Sequence, residues 1–291
     1  QLNEWLPIIL LGFIPAITMS VWADERRQGT DELLLTLPGS DFDVVLGKYF
    51  AAVGIFTVSL IVSLLTNWFV LVQLGNPDWG LLCSTYVGYW FVGLTMLVIG
   101  MVASFLTANL TVAFVLGVAF NSLIVLLQKD VTFSIPFTDV NLPVFKEEWT
   151  VSSNFLDFSR GIISFSAVTF FASLTVAMLY LCSILIGRRH WAGSQNGWIR
   201  IAHYSARVVS AIVIAHACSI FARNHDVVRI DATAEQLSSL SDGSIEILNE
   251  IDTLVEIDAF VSPSDAMPEQ YVQTRINLLT ALREIDRESK N

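Results

Sequence analysis

Over its first 222 residues the chain alternates between long apolar stretches and short polar ones. A helix crossing the hydrocarbon core of a bilayer needs about 20 mostly apolar residues. Six stretches meet that requirement: Trp5–Trp22, Tyr49–Leu74, Tyr86–Leu106, Leu110–Leu127, Ile162–Ile186 and Ile201–Ala222. Only Thr107-Ala108-Asn109 separates the third from the fourth, which predicts a tight helical hairpin. After Ala222 the pattern changes. Val227–Ile230 reads as a strand, Ser241–Ile251 as a helix, Val255–Val261 as an alternating, half-buried strand, and Glu269–Asp286 as a second amphipathic helix. The predicted fold class is an α-helical polytopic membrane protein with six transmembrane helices, followed by a partial extracytoplasmic α/β domain.

The polar intervals carry the local signals. Between the first two spans, Asp24-Glu25-Arg26-Arg27 reads as a charged turn and Gly29-Thr30 as a change of direction. Asp31-Glu32 and Leu33-Leu34-Leu35-Thr36-Leu37 then predict a short amphipathic helix parallel to the membrane, stopped by Pro38-Gly39. Ser40 and Asp43 form a capping-box pattern at the start of the helix that runs through Gly47-Lys48 into the second span. Between the fourth and fifth spans, Gln128–Gly161 is rich in Phe and reads as an interfacial or re-entrant lid, with Asn154 and Asp157 spaced to cap a helix.

Composition sharpens this picture. The 291 residues are 54% hydrophobic and 15% charged, against about 25% charged in soluble proteins. The formal charge of −11 is uneven: residues 1–222 hold 13 acids and 10 bases, residues 223–291 hold 14 acids and 6 bases. An acidic tail without clustered Lys and Arg excludes nucleic acid as a partner. Three scattered cysteines, Cys83, Cys182 and Cys218, give neither a disulfide framework nor a metal-ligand spacing. Lys and Arg set the direction of the spans. With the N-terminus outside, Arg26, Arg27, Lys48, Arg188, Arg189, Arg200 and Arg207 fall inside, and only Lys129, Lys146 and Arg160 fall outside. The loop after the first span is then cytoplasmic and the tail after Ala222 extracytoplasmic.

Candidate chemistry is sparse. No predicted span carries Asp, Glu, Lys or Arg at mid-depth, where ion-coupled carriers and pumps keep costly ionisable groups. His216 lies near the outer end of the sixth span and reads as interfacial. Asn67, Asn109 and Asn121 are available for hydrogen bonds between helices. Gly39 and Gly47-Lys48 do not make a phosphate loop: seven residues separate the glycines and Tyr49 follows the lysine, where the motif needs four and a Ser or Thr. No catalytic residue, cofactor site or metal site is indicated in this chain.

Two motifs carry a resemblance. Glu25…Gly29-Thr30…Glu32…Leu34…Thr36…Pro38, followed by Val44-Val45-Leu46-Gly47-Lys48, resembles the cytoplasmic loop of ABC-2 type exporter permeases, most closely the gliding-motility-associated subgroup. The segment from Asn154 to Ile163, containing Asp157, Arg160 and Gly161 and leading to Arg188-Arg189, is similar to the region before that subgroup's last permease helix. The run from Arg229 to Ser241 resembles the auxiliary component of the same exporters, although Ala232 stands where an aromatic or Leu is usual. The resemblance implies a permease domain over residues 1–190 with the family's first helix missing, a cytoplasmic joint and anchor helix over 191–222, and the start of an auxiliary domain over 223–291. The chain begins at Gln1 rather than Met and ends just after a helical pattern, so it reads as a fragment.

The resemblance further implies a multi-pass protein of the bacterial inner membrane, paired with a second permease subunit and driven by a partner ATPase that holds ATP and Mg. The coupling residues would be Glu25, Arg26, Gly29, Thr30, Glu32, Leu34, Leu37, Pro38 and Lys48. From the residues alone the same loop also suits an interfacial helix lying among lipids. Two other functions stay open: a membrane-anchored sensor or assembly scaffold without transport, and a secondary carrier, which the lack of mid-membrane ionisable groups disfavours.

Overall fold

The computed structural model describes residues 2–31, 40–126, 131–134, 141–145, 150–187, 197–224 and 229–234, with positions 250, 255, 257–261, 275, 278, 279, 281, 282 and 285 further on. Two compact units are present, Gln1–Ala232 and Thr233–Asn291. In the first, the order is α1 (Leu2–Gln28), α2 (Asp41–Leu74), α3 (Trp79–Leu106), α4 (Leu110–Leu126), β1 (Val131–Ser134), β2 (Asn141–Phe145), α5 (Val151–Ser159), β3 (Ile162–Ser164), α6 (Phe165–Gly187), α7 (Gly197–Asn224) and β4 (Arg229–Asp231). Two antiparallel ribbons, β1–β2 and β3–β4, lie outside the helices.

Five of the described helices are long and apolar enough to cross a membrane: α1, α2, α3, α6 and α7. The fourth expected span forms α4, whose 17 residues fall short of that length. The fifth begins at Phe165 rather than Ile162, because Ile162–Ser164 is drawn into β-pairing with Arg229–Asp231.

Helix ends follow local chemistry. The Ser40 hydroxyl accepts from the Asp43 amide at 3.2 Å and the Asp43 carboxylate accepts from the Ser40 amide at 3.1 Å, so the capping box starts α2 as its sequence predicts. Asp78 caps α3 through the Leu81 amide at 3.0 Å. Asn109 does not reach another helix: its side chain accepts from the Thr111 amide at 2.9 Å and its carbonyl from the Ala113 amide, starting α4 directly after the three-residue turn. The expected Asn154 cap is also corrected. Thr150 caps α5, with its hydroxyl on the Ser153 amide at 3.0 Å, and Asn154 lies inside the helix.

Among the described residues, α3 is the central element. It packs against α1, α2, α4, α5 and α6, and 78% of its apolar stretch is buried against 6% for α2 and for α7. Close approach is made at glycines. A Cβ on Gly93 would stand 2.2 Å from the Phe56 ring of α2, and one on Gly100 would stand 2.2 Å from the Thr18 hydroxyl of α1. Phe56 and Thr18 are both buried. Asn67 reaches the Tyr86 hydroxyl across the α2–α3 seam, whereas Asn121 bonds back to the Gly117 carbonyl of its own helix.

In the second unit, positions 275, 278, 279, 281, 282 and 285 are helical, as expected for Glu269–Asp286. The Ser241–Ile251 helix lies almost wholly outside the described residues. Val255–Val261 is not a strand at its described positions: Val255 and Ile257 are exposed and Phe260 is 98% exposed. Alternation makes a strand only where a neighbouring strand supplies hydrogen bonds and a face to bury, and no strand among the described residues pairs with this segment.

The Gly93 contact gives a matched test. Gly93→Ala should lower stability by about 1–3 kcal/mol through overpacking. Gly54→Ala, on the open face of α2 with nothing within 4 Å, should be neutral or stabilising by up to about 1 kcal/mol through helix propensity. Unfolding midpoints in one detergent would separate the two.

Candidate functional site

Among the described residues, ion pairs of the first unit stand in two places, around Glu25 and around Asp157. At the first, α1 continues as helix through Asp24-Glu25-Arg26-Arg27, correcting the expected charged turn. The Asp24–Arg27 ion pair at 3.2 Å and the Gln28–Asp24 hydrogen bond at 2.9 Å are helical i,i+3 and i,i+4 contacts that favour continuation. The change of direction comes at Gly29, whose φ of +71° is left-handed. The Thr30 amide donates back to the Glu25 carbonyl at 3.0 Å. This is a Schellman ending, which needs a residue without a Cβ penalty at that point. Gly29 and Thr30 thereby fix the direction in which the chain leaves the helix carrying Glu25.

Glu25 and Lys48 meet across α1 and α2. The Lys48 ammonium donates to Glu25 Oε1 at 2.5 Å and to the Val21 carbonyl at 2.7 Å, and it sits 4.5 Å from the centre of the Trp22 ring. Both side chains are partly buried, at 17% and 30% exposure, so the pair lies between the solvated and desolvated limits. Glu25 Oε2 is buried and has no hydrogen-bond partner among the described residues.

Helix α3 joins the same cluster at its last turn. The Ser104 hydroxyl donates to the Met19 carbonyl at 2.8 Å and accepts from the Trp22 and Ala23 amides, each at 3.1 Å. It therefore engages both ends of the Met19–Ala23 rung of α1, where an inserted side chain can bend a helix. Arg26 donates to the Phe105 carbonyl and its guanidinium lies 5.4 Å from the Phe105 ring centre. Phe105 in turn meets Trp22 edge to face at 5.5 Å. Three helices are thus fastened at the point where the chain enters the 29–40 loop. Glu32, Leu34, Leu37 and Pro38 lie outside the described residues.

The second predicted motif lies elsewhere. Asp157 accepts from the Ser164 hydroxyl at 2.7 Å and faces the Arg229 guanidinium at 3.6 Å. The Arg160 amide caps α5 on the Asp157 carbonyl at 3.0 Å. Gly161, at φ +88°, turns the chain into β3, and its carbonyl accepts from the Ala232 amide at 2.9 Å. Register pairs Ile162 with Asp231, Ile163 with Ile230 and Ser164 with Arg229. Beneath this ribbon the Phe158 ring presses on Gly88, and the Ser84 hydroxyl donates to the Phe158 carbonyl at 3.2 Å. Asp157 and Gly161 therefore hold the strand that follows α7 on the body formed by α3, α5 and α6.

The geometry brings Glu25, Arg26 and Lys48 together and orients Gly29 and Thr30 beside them. Trp22 was legible only as an aromatic at the end of the first span, and Ser104 and Phe105 were not singled out, because such residues at the end of an apolar helix look like any others. Arg229 was visible as part of a motif, but nothing in its spacing announced Asp157 as its partner. Among the described residues no group of three or more His, Cys, Asp or Glu could hold a metal ion.

A family model described as ABC-2 family transporter protein matches residues 2–189, well over half of the chain. No curated protein and no solved structure matches it.

A double-mutant cycle tests the Glu25–Lys48 contact. Glu25→Gln and Lys48→Met should each cost about 1–3 kcal/mol, between the exposed-pair and buried-pair limits. The double variant should cost less than the two together by about 0.5–2 kcal/mol. Thermal unfolding of all four proteins in one detergent measures both quantities, and strict additivity would deny the contact.

Proposed function

This chain belongs to the ABC-2 family transporter proteins, and we propose that it is the membrane-spanning permease of an ATP-driven exporter, moved by a separate ATPase subunit. Membership makes it a multi-pass membrane transport component. The observation that carries the rest is the fastening of the loop entrance. Glu25 and Arg26 stand on the last turn of α1, Lys48 ties that turn to α2, and Ser104 and Phe105 tie it to α3. A force applied at the last turn of α1 is passed by these contacts to α2 and α3.

On this reading the loop lies on the cytoplasmic side, in keeping with the excess of Lys and Arg there. The ATPase holds ATP and Mg and docks on Glu25, Arg26 and Glu32, with Leu34 and Leu37 as the apolar anchor and Pro38 ending the contact. Closure of the ATPase then drives rigid-body tilting of the helices between inward-open and outward-open arrangements. A second permease subunit completes the core.

Residues 1–190 form the permease proper, in the bacterial inner membrane and of the gliding-motility-associated subgroup. Residues 191–222 supply a cytoplasmic joint and an anchor helix, and residues 223–291 begin an extracytoplasmic auxiliary domain. Support for joining the two functions in one chain comes from β4, which follows the anchor helix and pairs with β3 beside Asp157, Arg160 and Gly161.

The test is co-purification with the ATPase from the same source, in detergent, for the wild type and for Glu25→Lys. The variant should lose ATPase retention and stimulated turnover at least tenfold while keeping its elution volume and helix content. Equal retention and turnover in both proteins would refute docking at Glu25. Absence of any ATPase partner for the wild type would leave a membrane-anchored scaffold as the reading.

A further inference from the structure

Helices α6 and α7 do not close on each other along their whole length. Between them lies a cavity of about 260 Å³, lined in its apolar part by Phe170, Leu174, Met178 and Leu181 of α6 and by Val208 and Ile212 of α7. Small residues, Ser173, Ala177, Ala215 and Ser219, also line it. Small residues at a membrane helix seam normally let backbones come together; here they leave room. An apolar cavity of roughly 150 Å³ already stays dry and takes up a hydrocarbon guest. A larger one between two membrane-crossing helices fills with hydrocarbon too.

The groove is not apolar to its end. His216 and Ser219 lie on its lining, and Ser219 is shared with a small cleft formed with Asn154, Ser166, Ile220 and Arg223. Arg223 is the basic residue in the last turn of α7. The cavity is apolar along α6 and α7, and the polar cleft with Arg223 adjoins it at Ser219. That sequence of surfaces matches one kind of molecule. We infer that the α6–α7 groove binds a membrane phospholipid, with an acyl chain between the helices and an anionic headgroup beside Ser219 and Arg223 at the end of α7.

The match is one of shape and charge. The outer face of α2, with Ile55, Val58, Val62 and Leu65 exposed, is apolar, and none of these four residues lines either cavity. Basic pockets between membrane helices are the places where anionic headgroups are held. The site joins the family-matched domain, which ends at residue 189, to the helix that follows it. Lipid occupancy therefore bears on how firmly α7 rides on α6. The inference needs a bilayer but no ATPase, so it stands or falls independently of coupling through Glu25.

The experiment uses the full chain in nanodiscs of phosphatidylcholine doped with a photo-crosslinkable phospholipid carrying a diazirine on one acyl chain. One arm uses a phosphatidylglycerol headgroup and the other a phosphatidylcholine headgroup, and crosslinks are mapped by peptide mass spectrometry. Crosslinks to Phe170–Leu181 and Val208–Ser219 should exceed those to Ile55–Leu65 at least fivefold, with phosphatidylglycerol favoured at least threefold. Arg223→Gln should remove the headgroup preference while crosslinking continues. Ala215→Trp, filling the groove, should bring crosslinks there down to the α2 level, and Val62→Trp should change nothing. Uniform labelling of all lipid-facing helices, or no headgroup preference in the wild type, would overturn the assignment. Should Ala215→Trp fail to fold, Ala177→Leu and the Arg223→Gln arm still decide it.

Discussion

Inside a bilayer the hydrophobic effect cannot hold one apolar helix against another, because lipid tails are as apolar as the side chains they would replace. What remains is close packing and hydrogen bonding, and both converge on α3. Its backbone is bare at Gly93 and Gly100, where Phe56 and Thr18 seat against it, and at Gly88, where Phe158 does. Each of these neighbours comes from a different element: α2, α1 and α5. The hydrogen bonds follow the same plan, with Thr95 joining Thr175 of α6 at 3.1 Å, Trp90 donating to Thr57 of α2 at 3.0 Å, and Ser104 engaging the backbone of α1. Lacking α3, the described helices would fall into separate groups: α1 packs on α4, and α6 packs on α7 and more lightly on α2, while α1 and α2 meet mainly at Lys48.

A central helix with polar fastenings at both of its ends has a mechanical consequence. Ser104 and Phe105 at one end hold the helix turn that carries Glu25 and Arg26. Ser84 and Gly88, near the other end, hold Phe158 and through it the turn at Gly161. Packed interiors resist continuous deformation and move as units. On the proposed mechanism, a displacement applied at Glu25 therefore travels with α3 as a body and arrives at the β3–β4 ribbon. No chain of separately switching residues is required between the two ends.

What the sequence disclosed, and what it withheld, divides along the range of the interactions concerned. The turn at Gly29, the capping box of Ser40 and Asp43, the hairpin at Thr107-Ala108-Asn109 and most of the long apolar helices were legible, because each depends on residues within a few positions of one another. The central place of α3 was not, since a helix that is apolar all round gives no facing direction, and Gly93 and Gly100 look the same whether they meet a neighbour or lipid. The charged run at Asp24–Arg27 was misread as a turn because charge suggests exposure, whereas its i,i+3 and i,i+4 partners favour helix. Thr150 displaced Asn154 as a cap for a comparable reason: both can cap, and tertiary packing of Phe155 and Phe158 on Tyr89 and Gly88 decides where the helix begins. Of the candidate site, the chain positions of Glu25, Arg26 and Lys48 were visible, but their meeting with Trp22, Ser104 and Phe105 is a property of the folded bundle.

The ribbon between β3 and β4 raises the question of why a helix and strand that follow the family-matched region should be held so specifically. Three antiparallel residue pairs alone are a weak attachment, since isolated two-stranded ribbons are marginal in water. The attachment here is reinforced from beneath. Ala232 lies so close to Gly80 that a Cβ there would stand 1.6 Å from the Ala232 carbonyl oxygen, and the Ala232 amide is bonded to the Gly161 carbonyl. Gly80 begins α3, and Gly161 ends the turn that Phe158 and Ser84 anchor to that same helix. The strand after α7 is thus clasped to the one element on which the described bundle depends. A connection made only to keep a neighbouring domain near the membrane would need the α7 helix and no more. A clasp on α3 ties β4 itself to the part of the bundle that the proposed cycle moves.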